Sequence, residues 1–301
     1  MILRTLSAAL ILAATTAPTV TQKVFPTPDA AAQELVAAAE KFDVEALKQI
    51  LGPDGVDLVV TEDQVMSKNQ AAEFAAIARE KTQVVVDPKN PKTATLVLGK
   101  EDWPAPIPII RKKTGWVFDT KTGRKEILYR RVGRNELDAI QVCRGFVEAQ
   151  DEYALTRPNG GTIAEYAQKI ISTPGKKDGL AWQNPDGTWG GPIGESVARV
   201  IAEGYSDKSQ PYHGYYFKVL KGQGPAAPLG TMDYVIKGSM IGGFALAAAP
   251  SDYAVTGVKS FIVSQDGVVY ERDFGDDTAD WFKSAVVFNP DAKWKPVQDA
   301  E

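Results

Sequence analysis

The chain carries one histidine and one cysteine, so the side chains able to do acid–base or thiol chemistry near neutral pH are few. His213 stands in the string Pro211-Tyr212-His213-Gly214-Tyr215-Tyr216. An imidazole there suits a general base or a pH-sensitive binding group. The plainer reading, which we prefer, is a histidine at the start of a strand that holds a loop by hydrogen bonds. Cys143 recurs with Leu137, Ile140 and Val147 at helical spacing. That puts it on a core-facing helix stripe, as an inert buried thiol rather than half of a thiol–imidazole pair. The G-x-S-x-G elbow and the S-x-x-K motif of serine hydrolases are both absent. Glu101 with Asp102, and Asp276 with Asp277 and Asp280, are the acidic clusters a glycosidase would need. Both sit beside expected turns or helix starts, where solvated carboxylates are ordinary. Gly222-x-Gly224-x-x-Ala227 imitates a dinucleotide fingerprint, but Pro225 interrupts it and no helix is expected after it to cradle a phosphate. One Cys and one His exclude a structural zinc site; an oxygen-ligand calcium or magnesium site stays open, but no EF-hand loop is present, and neither a metal nor a cofactor is the expectation.

Aromatic side chains are the better lead. Trp103, Trp116, Tyr129, Trp182, Trp189, Tyr212, Tyr215 and Tyr216 offer flat surfaces with a polar edge. Trp182 and Trp189 lie in a Gly/Pro-rich stretch, Thr173 to Pro192, long enough to be a functional loop or a partly structured one. A cleft lined by this loop and by Tyr212 to Tyr216 would make His213, Tyr212, Tyr215, Tyr216, Trp182 and Trp189 the ligand-binding candidates. The competing reading is that these rings fill the core or a seam between modules. Arg130, Arg131 and Arg134 are expected to pair with Asp119, Glu136 or Asp138 across that seam.

The elements that must position these residues follow from capping and periodicity. Residues 1–22 have the order of a signal peptide: Arg4, then an apolar run from Leu6 to Ala14, then small residues. That run is too short to span a bilayer, and no later one suffices, so no membrane span is expected after cleavage. Thr27-Pro28-Asp29 opens a helix, Asp43 caps a second that Gly52-Pro53 stops, and Ser67 to Gln70 fits a capping box for a third ending near Glu80. Short β-branched or aromatic runs follow at 83–87, 94–98, 107–111 and 116–119, separated by turn signals. A short helix over 124–131 is expected to end at Gly133. Asn135 is then expected to cap a longer one, Glu136 to Tyr153. Helices over 162–171 and 196–203 and strands at 215–220, 234–236, 244–249, 259–263 and 268–272 complete the reading, with a closing helical turn at 277–284. The result is α+β order: a module over 23–133 of N-terminal helices plus a curled antiparallel sheet, and a module over 134–301 of a long helix plus an antiparallel sheet.

Composition agrees with a folded chain: 44% apolar and 24% charged residues over 301 positions. The net charge of −4 and the broken basic cluster from Arg124 to Arg134 argue against nucleic-acid binding.

Several strings resemble one family: EDWPAPIPIIRKKTGWVFDTKTGRKEILYRRVGRNELDAIQVCRGFVEAQDEYA at 101–154, STPGKKDGLAW at 172–182, PYHGYYFKVLKGQGPAAPLG at 211–230 and MIGGFALAAAPSDYAVTGVKSFIVSQDGVVYERDFG at 240–275. They are similar to the exported bacterial family known as domain of unknown function 2950. The resemblance spans nearly all of the chain after residue 22. It implies export and a shared fold, and brings no activity. At the level of fold, residues 24–131 resemble the cone-shaped α+β fold of the nuclear-transport-factor-two-like superfamily. The last half resembles the head of type IV pilins, although the apolar assembly helix of pilins is missing. The functional expectation is a non-enzymatic envelope protein, periplasmic or secreted, that binds an unknown envelope protein or a small ligand. The alternatives are a hydrolase or isomerase of unknown type using His213, and an appendage-assembly factor.

Overall fold

The computed structural model describes residues 21–197 and 210–298, so most of the expected leader and of the helix over 196–203 lies outside the described residues. The first helices form where their caps demand. Thr27 Oγ1 accepts from the Ala30 N–H at 3.1 Å at the start of α1 (Pro28–Lys41), with Pro28 in the first turn. Asp43 Oδ1 does the same for Ala46 at 3.1 Å in α2 (Val44–Leu51), and Gly52, at φ 74°, ends it. A short α3 (Val56–Val59) leads to α4 (Gln64–Glu80). Here the expected capping box at Ser67 is overturned. The helix starts a turn earlier, at Asp63, whose Oδ1 accepts from Met66 N at 2.8 Å, while the Ser67 hydroxyl donates back to Asp63 O at 3.0 Å. A carboxylate cap outcompetes a hydroxyl because charge strengthens the hydrogen bond.

Strands β1 (Thr82–Val86), β2 (Thr93–Leu98), β3 (Trp103–Pro104), β4 (Ile109–Lys112) and β5 (Gly115–Phe118) form an antiparallel sheet in the order β1-β2-β4-β5, with β3 paired to β2. The two-residue period is plain in β2: Ala94, Leu96 and Leu98 are fully buried while Thr93, Thr95 and Val97 are half-buried. The inward residues join Ala31, Ala32, Leu47 and Ile50 of the helices in one apolar cluster.

The second correction concerns the joint. No helix ends at Gly133 and none starts at Asn135. A single helix α5 (Thr120–Thr156) runs through both, 37 residues long, which is about 55 Å at 1.5 Å per residue. An internal glycine costs about 1 kcal/mol, little against the packing of ten turns. Asn135 is buried and uses its Nδ2 sideways, donating to Thr256 O at 2.9 Å.

Beyond α5 the expected helix over 162–171 is also overturned. The Gln150 carboxamide bonds both the N–H and the C=O of Ala167 at 2.8 Å, which holds that backbone extended. β6 (Lys169–Ile171) then runs parallel to β7 (Gly179–Gln183), which pairs with β8 (Trp189–Gly190). The stretch from Thr173 to Pro192 is thus partly structured. β9 (Tyr215–Leu220) enters the main sheet. Two ribbons follow, β10 (Gly222–Gln223) with β11 (Met232–Asp233), and β12 (Val235–Ile236) with β13 (Ser239–Met240). β14 (Ala245–Pro250), β15 (Lys259–Ser264) and β16 (Tyr270–Asp273) precede α6 (Thr278–Ser284) and β17 (Lys295–Pro296). The sheet order β17-β16-β15-β14-β9 is antiparallel throughout. Every residue of β14 is buried, and its alanines let both α5 and α6 pack against it. The apolar cluster here, from Ala139 to Trp294, shares no buried residue with the first one. The whole is α+β. No described helix is long and apolar enough to cross a membrane.

Candidate functional site

The structure separates the six aromatic and histidine candidates into two places. Tyr212 and Tyr215 exchange backbone hydrogen bonds at 2.8 and 3.0 Å, and the two residues between them, His213 at φ 48° and Gly214 at φ 75°, form a tight two-residue turn. Positive φ at both central positions is the signature of the type I′ hairpin turn. Gly214 is required twice over, since a Cβ there would also meet Asn135 Nδ2 at 2.5 Å. The turn docks on both halves of the chain. Gly214 N donates to Asp63 Oδ2 at 3.0 Å, His213 Nδ1 lies 2.7 Å from Asp138 Oδ2 on α5, and the Tyr216 hydroxyl donates to Glu62 Oε2 at 3.2 Å. His213 stacks on Tyr212, with ring centroids 4.1 Å apart. Tyr215 is buried, its hydroxyl donating to Lys259 O at 2.8 Å, and burial pushes that hydroxyl's pKa up.

Trp182 and Trp189 sit on the β7–β8 hairpin, both half-buried, with the Lys177 ammonium 5.0 Å from the Trp182 ring. This hairpin belongs to the far end of α5, where the Tyr153 hydroxyl donates to Lys177 O. Asp138 and Tyr153 are about 22 Å apart along the helix, so the two aromatic groups line no common cleft. His213 is within reach of a carboxylate, yet it lines neither the large cavity described below nor the small one beside Tyr153. Cys143 is fully buried, and burial pushes its thiol up to about 12, far from a reactive thiolate.

The arginines too find other partners. Arg130 pairs with Glu126 at 2.7 Å and Arg134 with Glu73 at 3.2 Å. The acids expected for them are taken: Asp119 caps α5, Glu136 accepts from the N–H groups of Val258 and Lys259 at 2.9 Å each, and Asp138 holds His213.

The feature sequence reasoning missed is a cavity of about 920 Å³ inside the N-terminal half. Helices α1 to α4 wall it with Leu35, Leu47, Val59 and Phe74, the sheet with Leu98, and the first turns of α5 with Ile127. Ile77 and Trp103, both more than a third exposed, form apolar lips, and the Arg130 guanidinium lies 4.8 Å over the Trp103 ring. One charged side chain stands in the buried wall. Arg131 is 9% exposed and donates to the carbonyls of Asp57 (3.1 Å) and Leu58 at the end of α3. Burial is the main cause that lowers its pKa.

A comparison with known families matches residues 22–297 to the one described as Protein of unknown function (DUF2950). The chain belongs to this family. No curated protein and no solved structure matches it.

In this DUF2950 chain the cavity left one trace in the sequence. Ile127, Arg131 and Asn135 recur every four residues on α5, which places a guanidinium in a stripe that is otherwise turned inward. An arginine at such a position is uncommon unless paired, and that anomaly points to the wall it occupies.

Proposed function

We propose that this DUF2950 member is an exported, non-enzymatic binding protein that carries an apolar small molecule in its N-terminal cavity. The observation that carries the reading is the cavity. Its volume of about 920 Å³ falls within the range of about 300–1,000 Å³ usual for small-molecule sites, and its walls are apolar, as such sites mostly are. The cavity opens to solvent past Ile77 and Trp103, so its apolar wall stays in contact with water unless something covers it, and exposed apolar surface is costly. A space this large with apolar walls is best accounted for by an occupant. Against the enzyme alternative stands His213, which closes a turn and lines neither of the two cavities described above.

The export part of the proposal rests on the leader pattern of residues 1–22. The Gln22 carboxamide donates to Phe118 O at 2.7 Å. This contact supports a processing point at the early end of the expected window, before Gln22.

A fluorescent naphthalene probe that brightens in apolar surroundings tests the binding reading. Saturable binding is expected in the purified protein. It should be lost in Ala71→Trp, which plugs the cavity from α4, with the circular dichroism unchanged. A probe that never binds, or that binds the plugged variant equally well, would overturn the reading. Envelope fractionation with N-terminal sequencing tests export, and a cytosolic product retaining Met1 would refute it.

A further inference from the structure

We propose that the cavity's occupant is a single-chain carboxylic acid whose head group is received by Arg131. This rests on the cavity reading above and goes further by naming the ligand's chemistry. Arg131 is the argument. Arg131 lines the buried wall of the cavity, and of its five N–H groups two are used, on the carbonyls of Asp57 and Leu58. Among the described residues it makes no ion pair. The neighbouring acid Asp57 is already gripped through both oxygens by Arg124, at 2.6 Å for Oδ1. Asp252 acts on Arg131 only from beyond ion-pair distance.

Buried charges are normally paired, because the solvation they lose must be replaced. The guanidinium fork matches a carboxylate in plane and spacing. Arg130 and Arg134 are each already paired, with Glu126 and Glu73, so one buried positive charge is left over. Lys100, Glu80 and Glu101 also line the cavity. A monoanion balances that single charge. A dianion would meet the carboxylates of Glu73, Glu80 and Glu101 with its excess. The apolar walls then take an alkyl chain.

Displacement of the bound fluorescent probe by dodecanoic acid, dodecanol and dodecyl phosphate tests this on the purified protein. The acid should bind at least about tenfold more tightly than the alcohol, the worth of charge-assisted hydrogen bonds to a buried guanidinium. Arg131→Gln keeps a donor for the carbonyls of α3 and removes the charge. It should erase the preference for acid while leaving alcohol binding in place. Equal displacement by acid and alcohol in the unaltered protein overturns the head-group assignment and leaves the cavity reading standing. Tighter binding of the phosphate overturns the choice of a carboxylate. Failure of all three to displace a bound probe sinks the amphiphile, and failure of the probe itself sinks the cavity reading. If Arg131→Gln does not fold, the ratio of acid to alcohol in the unaltered protein decides.

Discussion

Asp63 does the work of two residues. One carboxylate oxygen caps α4 through Met66 N, the other holds Gly214 N, and the side chain is only 2% exposed. Asp63→Ala removes the cap and strands a buried N–H, so a loss of about 2–4 kcal/mol is expected in urea unfolding. Asp63→Asn keeps one acceptor and should lose less; equal losses would contradict the double role. Asp178 gives a pH-dependent term. Partial burial raises its pKa, but the Thr173 N–H, Lys169 and the Thr173 hydroxyl outweigh that and hold it at about 2, against an ordinary 3.8. A pKa depressed by folding means stability that is complete above the unfolded value and is lost as pH falls toward the folded one. The β6–β7 connection should therefore weaken between pH 3.8 and about 2, by a modest amount because the group is partly solvated. Asp178→Asn should flatten the unfolding midpoint over that window; an unchanged acid limb would count against the assignment. Cys143 should resist thiol reagents at pH 8 in the folded protein and react once the protein is denatured. Rapid labelling of the native chain would contradict its burial.

At the scale of elements, α5 makes a prediction of opposite signs at two glycines. A Cβ at Gly133 meets nothing within 4 Å, so Gly133→Ala should stabilise the helix by about 1 kcal/mol. A Cβ at Gly123 would sit 2.6 Å from Pro106 O, so Gly123→Ala should destabilise. Chemical denaturation measures both, and a loss at Gly133 would mean that the helix breaks there after all. The same element shows what the sequence could tell. Thr27, Asp43 and Gly52 were legible because a cap is decided by atoms within four residues. Gly133 and Asn135 carry the same local signals, but Asn135 spends its side chain on Thr256, 121 positions away. Thr162 to Ile171 read as a helix for want of any hint that Gln150 would bind Ala167. The longer strands of both sheets emerged within a residue or two, because burial of one face repeats every second position, whereas the two-residue strands β3 and β17 carry too short a pattern and were not foreseen. Apart from Arg131 in an inward-turned stripe, the cavity was not legible, since its walls come from positions as far apart as Leu35 and Arg134. His213, read as a loop-holding residue, is where that reading put it, although its hairpin geometry was not foreseen.

For the whole molecule, the cavity and the two tryptophan candidates lie apart. Trp182 and Trp189 pack at the far end of α5, away from every residue of the cavity wall. Trp182→Ala should lower the melting temperature, because a half-buried indole is lost, and leave probe affinity unchanged. A fall in affinity at constant fold would tie the hairpin to the ligand and displace the cavity from the centre of the account. The turn at His213 makes polar contacts to Asp63, Glu62 and Asp138. Lobes tethered by a flexible linker swing freely as a rule. These two share a continuous axle, and an α-helix bends sharply only where its hydrogen-bond ladder is interrupted. Swivelling one lobe against the other would mean snapping that axle, so movement between them is confined to a small push or twist along it.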